Sequence, residues 1–197
     1  MRGFDEDERQ ELREALVDAG EEYFLRMGPQ KVTVEDITDE VGIAKGSFYS
    51  FFDSKSELFM EVFIRLGREN VEAALDAVED VEDGREGIRL LFHAYADWLE
   101  AHPVIQKFAA DVAQDRFRRS LPQDQFAAAE RLRDKRLAAP VERWQANGTI
   151  RDDVSAVTIV ELLQLVLLLA VSNDEYDEEY YRKRDFAIET LARGLEP

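Results

Sequence analysis

The sequence predicts an all-α protein, and three observations carry that expectation. Apolar residues recur at helical spacing along most of the 197 residues, no stretch shows the two-residue alternation of a half-buried strand, and only five prolines interrupt the chain. The first predicted helix places Leu12, Ala15, Leu16, Ala19, Tyr23 and Met27 on one stripe, with Gly28 as its stop. Thr33 is placed to cap a second, short helix through its hydroxyl, with Asp36 three residues on to reach back, and Val34, Ile37 and Val41 then form the buried stripe. Gly42 supplies a tight corner and Ile43 tucks beneath it. The next helix, from Lys45 to Phe51, turns Phe48 inward together with Phe52 just beyond it, and leaves Lys45, Gly46, Ser47, Tyr49 and Ser50 outside.

A helix with an apolar inner face, a glycine corner and a second helix with small, polar outer residues is the layout of a helix-turn-helix, whose second helix enters the DNA major groove. Ser54-Lys-Ser-Glu57 then reads as the capping box of a long helix whose positive dipole end lies beside Lys55, a good place for a phosphate.

From Leu12 to Leu66 the chain resembles the TetR family of transcription regulators: a threonine at the start of the second helix, a glycine corner, Lys45-Gly-Ser-Phe-Tyr49 as the recognition helix, and Phe52-x-x-Lys55-x-x-Leu58 leading into the fourth helix. The resemblance implies an all-α fold of about nine helices, with a three-helix DNA-binding domain over residues 1–55 and a helical body, 56–197, for ligand binding and dimerisation. It implies a homodimer on double-stranded operator DNA, with Thr33, Lys45, Gly46, Ser47, Tyr49, Ser50 and Lys55 as contacts. Two departures bear on specificity. Ala44 stands where family members often carry a serine or threonine, which removes a side-chain cap and a phosphate contact. Ser50-Phe51 replaces the usual histidine or tyrosine pair, so the operator sequence does not transfer.

Charge sets a problem for this reading. The chain carries 43 acidic and 25 basic residues, a net charge of -18, whereas a nucleic-acid binder is expected to present a basic surface. Residues 1–55 alone hold fourteen acids against seven bases, net -7. The expected resolution is local: Val41 to Phe52 contains Lys45 and no acid, and the acids of the first helix (Glu8, Glu11, Asp18, Glu21, Glu22) fall on the far side. Abundant acids and six lysines against nineteen arginines are similar to the composition of proteins from a high-salt, halophilic cytoplasm, where charge repulsion is screened. With no cysteine, disulfides are excluded, and the N-terminus lacks a signal-like apolar run, so the expected compartment is the cytoplasm.

In the body, a helix from Ser54 to Val78 leads to an acidic link, residues 79–84, and then to a stripe of Ile88, Leu91, Phe92, Tyr95, Trp98 and Leu99. Pro103 starts a helix with Val104, Ile105, Phe108, Val112 and Phe117. Ser120-Leu-Pro122 enters another, interrupted by Pro140 and closed by Gly148 with Ile150 beyond, and Asp152 or Asp153 caps the next. Residues 154–171 are nearly all apolar, yet Glu161 and Gln164 at their centre argue against a membrane span and for a helix buried on several sides. A last helix, Tyr176 to Leu195, turns Tyr181, Ile188, Leu191 and Leu195 to one face, and these last two helices form the expected dimer bundle.

The resemblance also implies a pocket in the body for a small lipophilic effector, with Phe92, Tyr95, Trp98, Phe108, Phe117, Phe126, Trp144, Leu163 and Leu167 as candidate lining. No cofactor is implied. His93, Asp97, Glu100 and His102 could be imagined around a metal, but that face reads as solvated, and no Gly-rich phosphate loop or nucleophile elbow points to an enzyme. The alternatives are an all-α carboxylate metalloenzyme and an acidic helical interaction module.

Overall fold

The computed structural model describes residues 6–103, 105, 123–163, 165, 166, 169 and 176–197. Expectations for Val104, Phe108, Val112, Phe117, the entry at residues 120–122, Gln164 and Leu167 fall outside that set. Eight helices lie among the described residues, with no strand among them: α1 (Glu6–Met27), α2 (Val34–Val41), α3 (Lys45–Phe48), α4 (Lys55–Asp76), α5 (Gly84–Glu100), α6 (Gln123–Ala146), α7 (Ala156–Glu161) and α8 (Glu178–Gly194). The chain divides into two compact units, Met1–Leu66 with Asp111–Phe126 and Gly67–Ala110 with Ala127–Pro197.

In the first unit, α1 buries Leu16, Val17, Ala19, Gly20 and Phe24, a stripe turned from the one expected. Met27 is exposed and Tyr23 half-buried. The shift follows from Gly20: a Cβ there would come within 3.0 Å of the Leu58 side chain, so this face of α1 is the one that fits closely onto the start of α4. Phe24 meets Phe59 at 5.8 Å between ring centroids, and Ile37, Phe48, Phe52 and Leu58 complete the core. On α2 the buried positions are Ile37 and Thr38, with Val34 and Val41 at the margin. Ser54 caps α4 by accepting from the Glu57 amide (3.2 Å), but Glu57 reaches back to the amide of Asp53 (2.6 Å) rather than of Ser54.

The second unit is built on one apolar cluster from the end of α4, α5, α6, α7 and α8, centred on Ile88, Leu91, Phe92, Val141, Trp144, Ile159 and Ile188. Gly87 makes room for Trp144, since a Cβ at that position would sit 2.1 Å from the indole ring, and the indole N–H donates to the Val81 carbonyl (2.7 Å). α6 runs through Pro140 and ends in a Schellman turn: Gly148 has φ 69°, Thr149 N donates to Trp144 O (2.9 Å), Gly148 N donates to Gln145 O (3.0 Å), and Ile150 is buried. Ser155, not Asp152 or Asp153, caps α7, its hydroxyl accepting from the Thr158 amide (3.1 Å), while Asp153 is engaged by Arg151. No helix among the described residues is long and apolar enough to cross a membrane.

The inner face of α8 includes two residues that hydrophobic spacing leaves out, Tyr180 and Arg184. Tyr180, Arg184, Ile188 and Ala192 are buried, while Tyr181 and Phe186 are exposed. A buried arginine sets this phase: Arg184 donates to Asp97 (2.6 Å) and to both oxygens of Glu100 (2.9 Å) on α5, and the Tyr180 hydroxyl donates to Glu100 as well (2.6 Å). The face of α5 that holds Asp97 and Glu100 is therefore partly an interior ionic contact rather than a solvated surface. Burial alone would pull the Arg184 guanidinium down, but Glu100 and its neighbours hold it charged, and burial together with Glu100 pushes the Tyr180 phenol far up.

Candidate nucleic-acid interface

The corner of the helix-turn-helix is fixed by backbone chemistry. Gly42 adopts φ 77°, its N–H donates to Asp39 O (3.3 Å), and Ile43 N donates to Thr38 O (2.9 Å). Before the corner, the Thr33 hydroxyl accepts from the Asp36 amide (3.1 Å) and donates to the Asp36 carboxylate (2.7 Å), which in turn accepts from the Thr33 amide (2.8 Å). These contacts hold the Asp36 carboxyl below its ordinary range. Thr33 is thus occupied as a cap.

α3 is one turn long, Lys45–Phe48, and the chain continues as turns through Phe51, so the recognition segment is shorter as a helix than the spacing predicts. Ala44 at its N-cap makes no side-chain hydrogen bond. Phe48 is fully buried and stacks on Phe52 at 5.6 Å, which anchors the segment and leaves Lys45, Gly46, Tyr49 and Ser50 exposed and Ser47 half-buried. A Cβ at Gly46 would meet nothing within 4 Å, so packing within the head does not demand glycine there. Tyr49 stands on the edge of Phe48 (5.3 Å, 84°) with its side chain half exposed.

The charges of this surface are already engaged. Lys45 Nζ donates to Glu35 Oε1 at 2.5 Å, which raises the lysine and lowers the carboxyl from their ordinary values. Lys55 Nζ donates to the Val32 carbonyl (2.6 Å), and partial burial lowers its ammonium. Arg9 of α1 donates to the Ser50 carbonyl (2.5 Å) and lies over the Phe51 ring, while Arg13 pairs with Glu61 and lies over Phe52. Sequence spacing misses Arg9 and Glu35, because each reaches the recognition segment from another helix. The acids of α1 are also not all on a far side: Glu8 and Glu11, with Leu12, Ala15 and Val41, line a groove of about 410 Å³. Asp18 and Glu21 hold Arg65, and Glu22 pairs with Arg26.

In the second unit, Phe92 and Trp144 are fully buried members of the core and Leu163 is nearly so. Tyr95 packs against that core, where burial pushes its phenol up and Arg133 pulls it back. Trp98 is half-buried and stacks on His102 at 4.2 Å. Phe126 belongs to the first unit, stacked on Phe63 at 5.8 Å. His93 lies 3.7 Å from Asp185, and no group of metal-binding side chains occurs among the described residues.

Residues 16–62 match the family described as bacterial regulatory proteins, tetR family. Over 92 residues the chain is 30% identical to the HTH-type transcriptional activator FasR of Mycolicibacterium smegmatis, a stretch that covers 47% of this chain and 42% of that protein. The match thus spans less than half of that relative's length. Among solved structures, a TetR-family transcriptional regulator from Pectobacterium atrosepticum superposes with a TM-score of 0.76 over 98% of both chains at 20% identity. The regulator FadR from Bacillus subtilis, solved in complex with stearoyl-CoA, gives 0.70 at 15% identity over 93% of this chain and 99% of that one. At these identities the structural likeness shows the fold, which extends along nearly the whole chain.

Proposed function

We propose that the chain is a TetR-family protein and a cytoplasmic, ligand-responsive regulator, a repressor that leaves a palindromic operator when a lipophilic small molecule binds the body; the match over residues 16–62 and the fold support this. The observation that carries the DNA-binding part is the recognition segment itself: Phe48 locked inside, Gly42 at the corner, and small or hydrogen-bonding residues from Lys45 to Ser50 outside. Lys45, Gly46, Ser47 and Ser50 would lie near bases, with Tyr49, Lys55 and Thr33 toward phosphates. In this reading the head, 1–55, reads DNA, and 56–197 binds effector and dimerises.

Support for an effector comes from Asn70 on α4, a residue 2% exposed whose Oδ1 has no hydrogen-bond partner among the described residues. A buried, unpaired carbonyl oxygen costs stability unless something donates to it, and a bound molecule with one polar donor would do so. The lining we propose is Phe92, Tyr95, Trp98, Trp144 and Leu163 among the described body residues. α4 contributes Lys55–Leu66 to one unit and Gly67–Asp76 to the other, which makes it the lever of the mechanism. Dimerisation through the last two helices is supported by Val157, Leu165, Tyr181 and Phe186, large apolar side chains left exposed there.

Four measurements test the proposal. Light scattering should give twice the 22.7 kDa chain mass. Labelled duplexes tiled across the region upstream of its own gene should include one bound as a palindrome, and a chain that is monomeric or binds none of them overturns the reading. Stearoyl-CoA and a panel of lipophilic compounds should include one that raises the melting temperature and weakens that duplex, because linkage makes the two effects reciprocal. A reporter gene behind the bound duplex should then be switched on by that compound; its being switched off would make the protein an activator.

A further inference from the structure

Lys45 is the single basic residue between Gly42 and Ser54, and the reading surface depends on it. Its ammonium does not stand free. Glu35, in the first turn of α2, reaches across ten residues and holds it at 2.5 Å, with the two side chains 51% and 55% exposed. The carboxylate is favoured where it is, since the N-terminal turn of a helix attracts negative charge. The pair therefore presents a neutral dipole where the spacing of residues predicts a cation.

We propose that Glu35 is an electrostatic gate on DNA binding, occupying Lys45 as the duplex would and setting how strongly affinity depends on salt. This rests on the DNA-binding reading above. A free lysine brought into the groove neutralises phosphate charge around it and releases a condensed counterion, which steepens the fall of log affinity with log salt by about 0.9. A lysine that must first leave a carboxylate trades one anion for another, so that gain is largely cancelled and the vacated Glu35 is left facing the duplex. High salt weakens the exposed pair and the phosphate contact together. The gate thus lowers affinity most in dilute salt and least in concentrated salt, so affinity is lower in dilute salt and changes less across the range. Glu40 lies exposed on the same helix and serves as a matched acid, because Glu40→Gln makes the same change in net charge without touching Lys45.

The test uses the full chain and the tiled duplexes above, carried forward with the one that binds, with fluorescence anisotropy from 0.1 to 1 M KCl. Thermal melts confirm that each variant is folded. Glu35→Gln should steepen the salt slope by about 0.9, which over a tenfold salt range is an advantage of about eightfold at the low end, fading to parity at 1 M. Glu40→Gln should give a clearly smaller change. Lys45→Gln should change the parent's salt slope little and remove the whole steepening in the Glu35→Gln background. Superimposable curves for Glu35→Gln and Glu40→Gln, or an equal cost of Lys45→Gln in both backgrounds, would overturn the gate while leaving DNA binding intact. If no variant binds duplex at any salt, the DNA-binding reading falls and the gate falls with it.

Discussion

Lys45 on Glu35 in the head and Arg184 on Glu100 in the body are both ion pairs that join one helix to another, yet their surroundings make them different devices. The head pair has side chains 51% and 55% exposed, whereas Arg184 and Glu100 are 9% and 7% exposed and share Asp97, Asp185 and the Tyr180 hydroxyl. In water-like surroundings the attraction is small and screened, so the first pair can open and exchange partners. In the interior the cost of stripping water from both ions has already been met, and breaking the pair leaves a charge with nowhere to go. One contact is exchangeable and the other structural, which suits the proposed role of the head in meeting a duplex and a body that keeps α8 in register with α5.

The contrast is most easily broken at Arg184. Arg184→Met should destabilise the protein by about 3–5 kcal/mol by orphaning Glu100, a drop in melting temperature of roughly 10 °C. Adding Glu100→Leu should recover most of it, and the loss should persist in 1 M KCl. A melt that moves by a degree or less would place this pair in the same class as the surface ones. Thr33→Ala tests the head in the same terms. Loss of the α2 cap should cost about 1 kcal/mol, read from the urea midpoint of the transition that exposes the head.

A smaller effect is expected from His93, whose ring burial lowers from its ordinary value, with Arg184 and Arg89 pushing the same way and Asp185 and Asp97 opposing. The unfolded chain then takes up a proton at this residue before the folded one does, so stability is full above about pH 6.5 and declines as pH falls toward the depressed folded value. Melting temperature should fall less steeply below pH 6.5 in His93→Gln than in the parent; parallel profiles would remove His93 from the body's electrostatics. Least of all should happen to the fold in Glu35→Gln. Its melt should overlay the parent's, with the change confined to duplex binding.

What was legible in the sequence is what lies within a few residues along the chain. The Thr33–Asp36 capping box, the left-handed glycines at 28, 42 and 148, and the inward Phe48 and Phe52 all follow from contacts spaced by five residues or fewer, where backbone geometry dictates the partner. Misreadings arise where a distant side chain decides. Hydrophobic spacing puts Tyr181 on one face with Ile188 and takes no account of an arginine, but Arg184 is buried, and with its partners 84 and 87 residues away it is Tyr180 that shares the buried face. The patch cleared of acid in sequence acquires one in space through Glu35, and Arg9 reaches Ser50 across 41 residues.

The notch at Gly87 has an optical consequence. The chain has two tryptophans, and they occupy opposite environments in the same unit: Trp144 is sealed without water around its ring, while Trp98 lies half-buried against an imidazole. Emission from the first should be shifted to the blue and resist acrylamide, and emission from the second should be quenched more readily. The body thus carries two intrinsic reporters, one for the integrity of its centre and one for its margin, and a molecule entering it can be followed without any added dye.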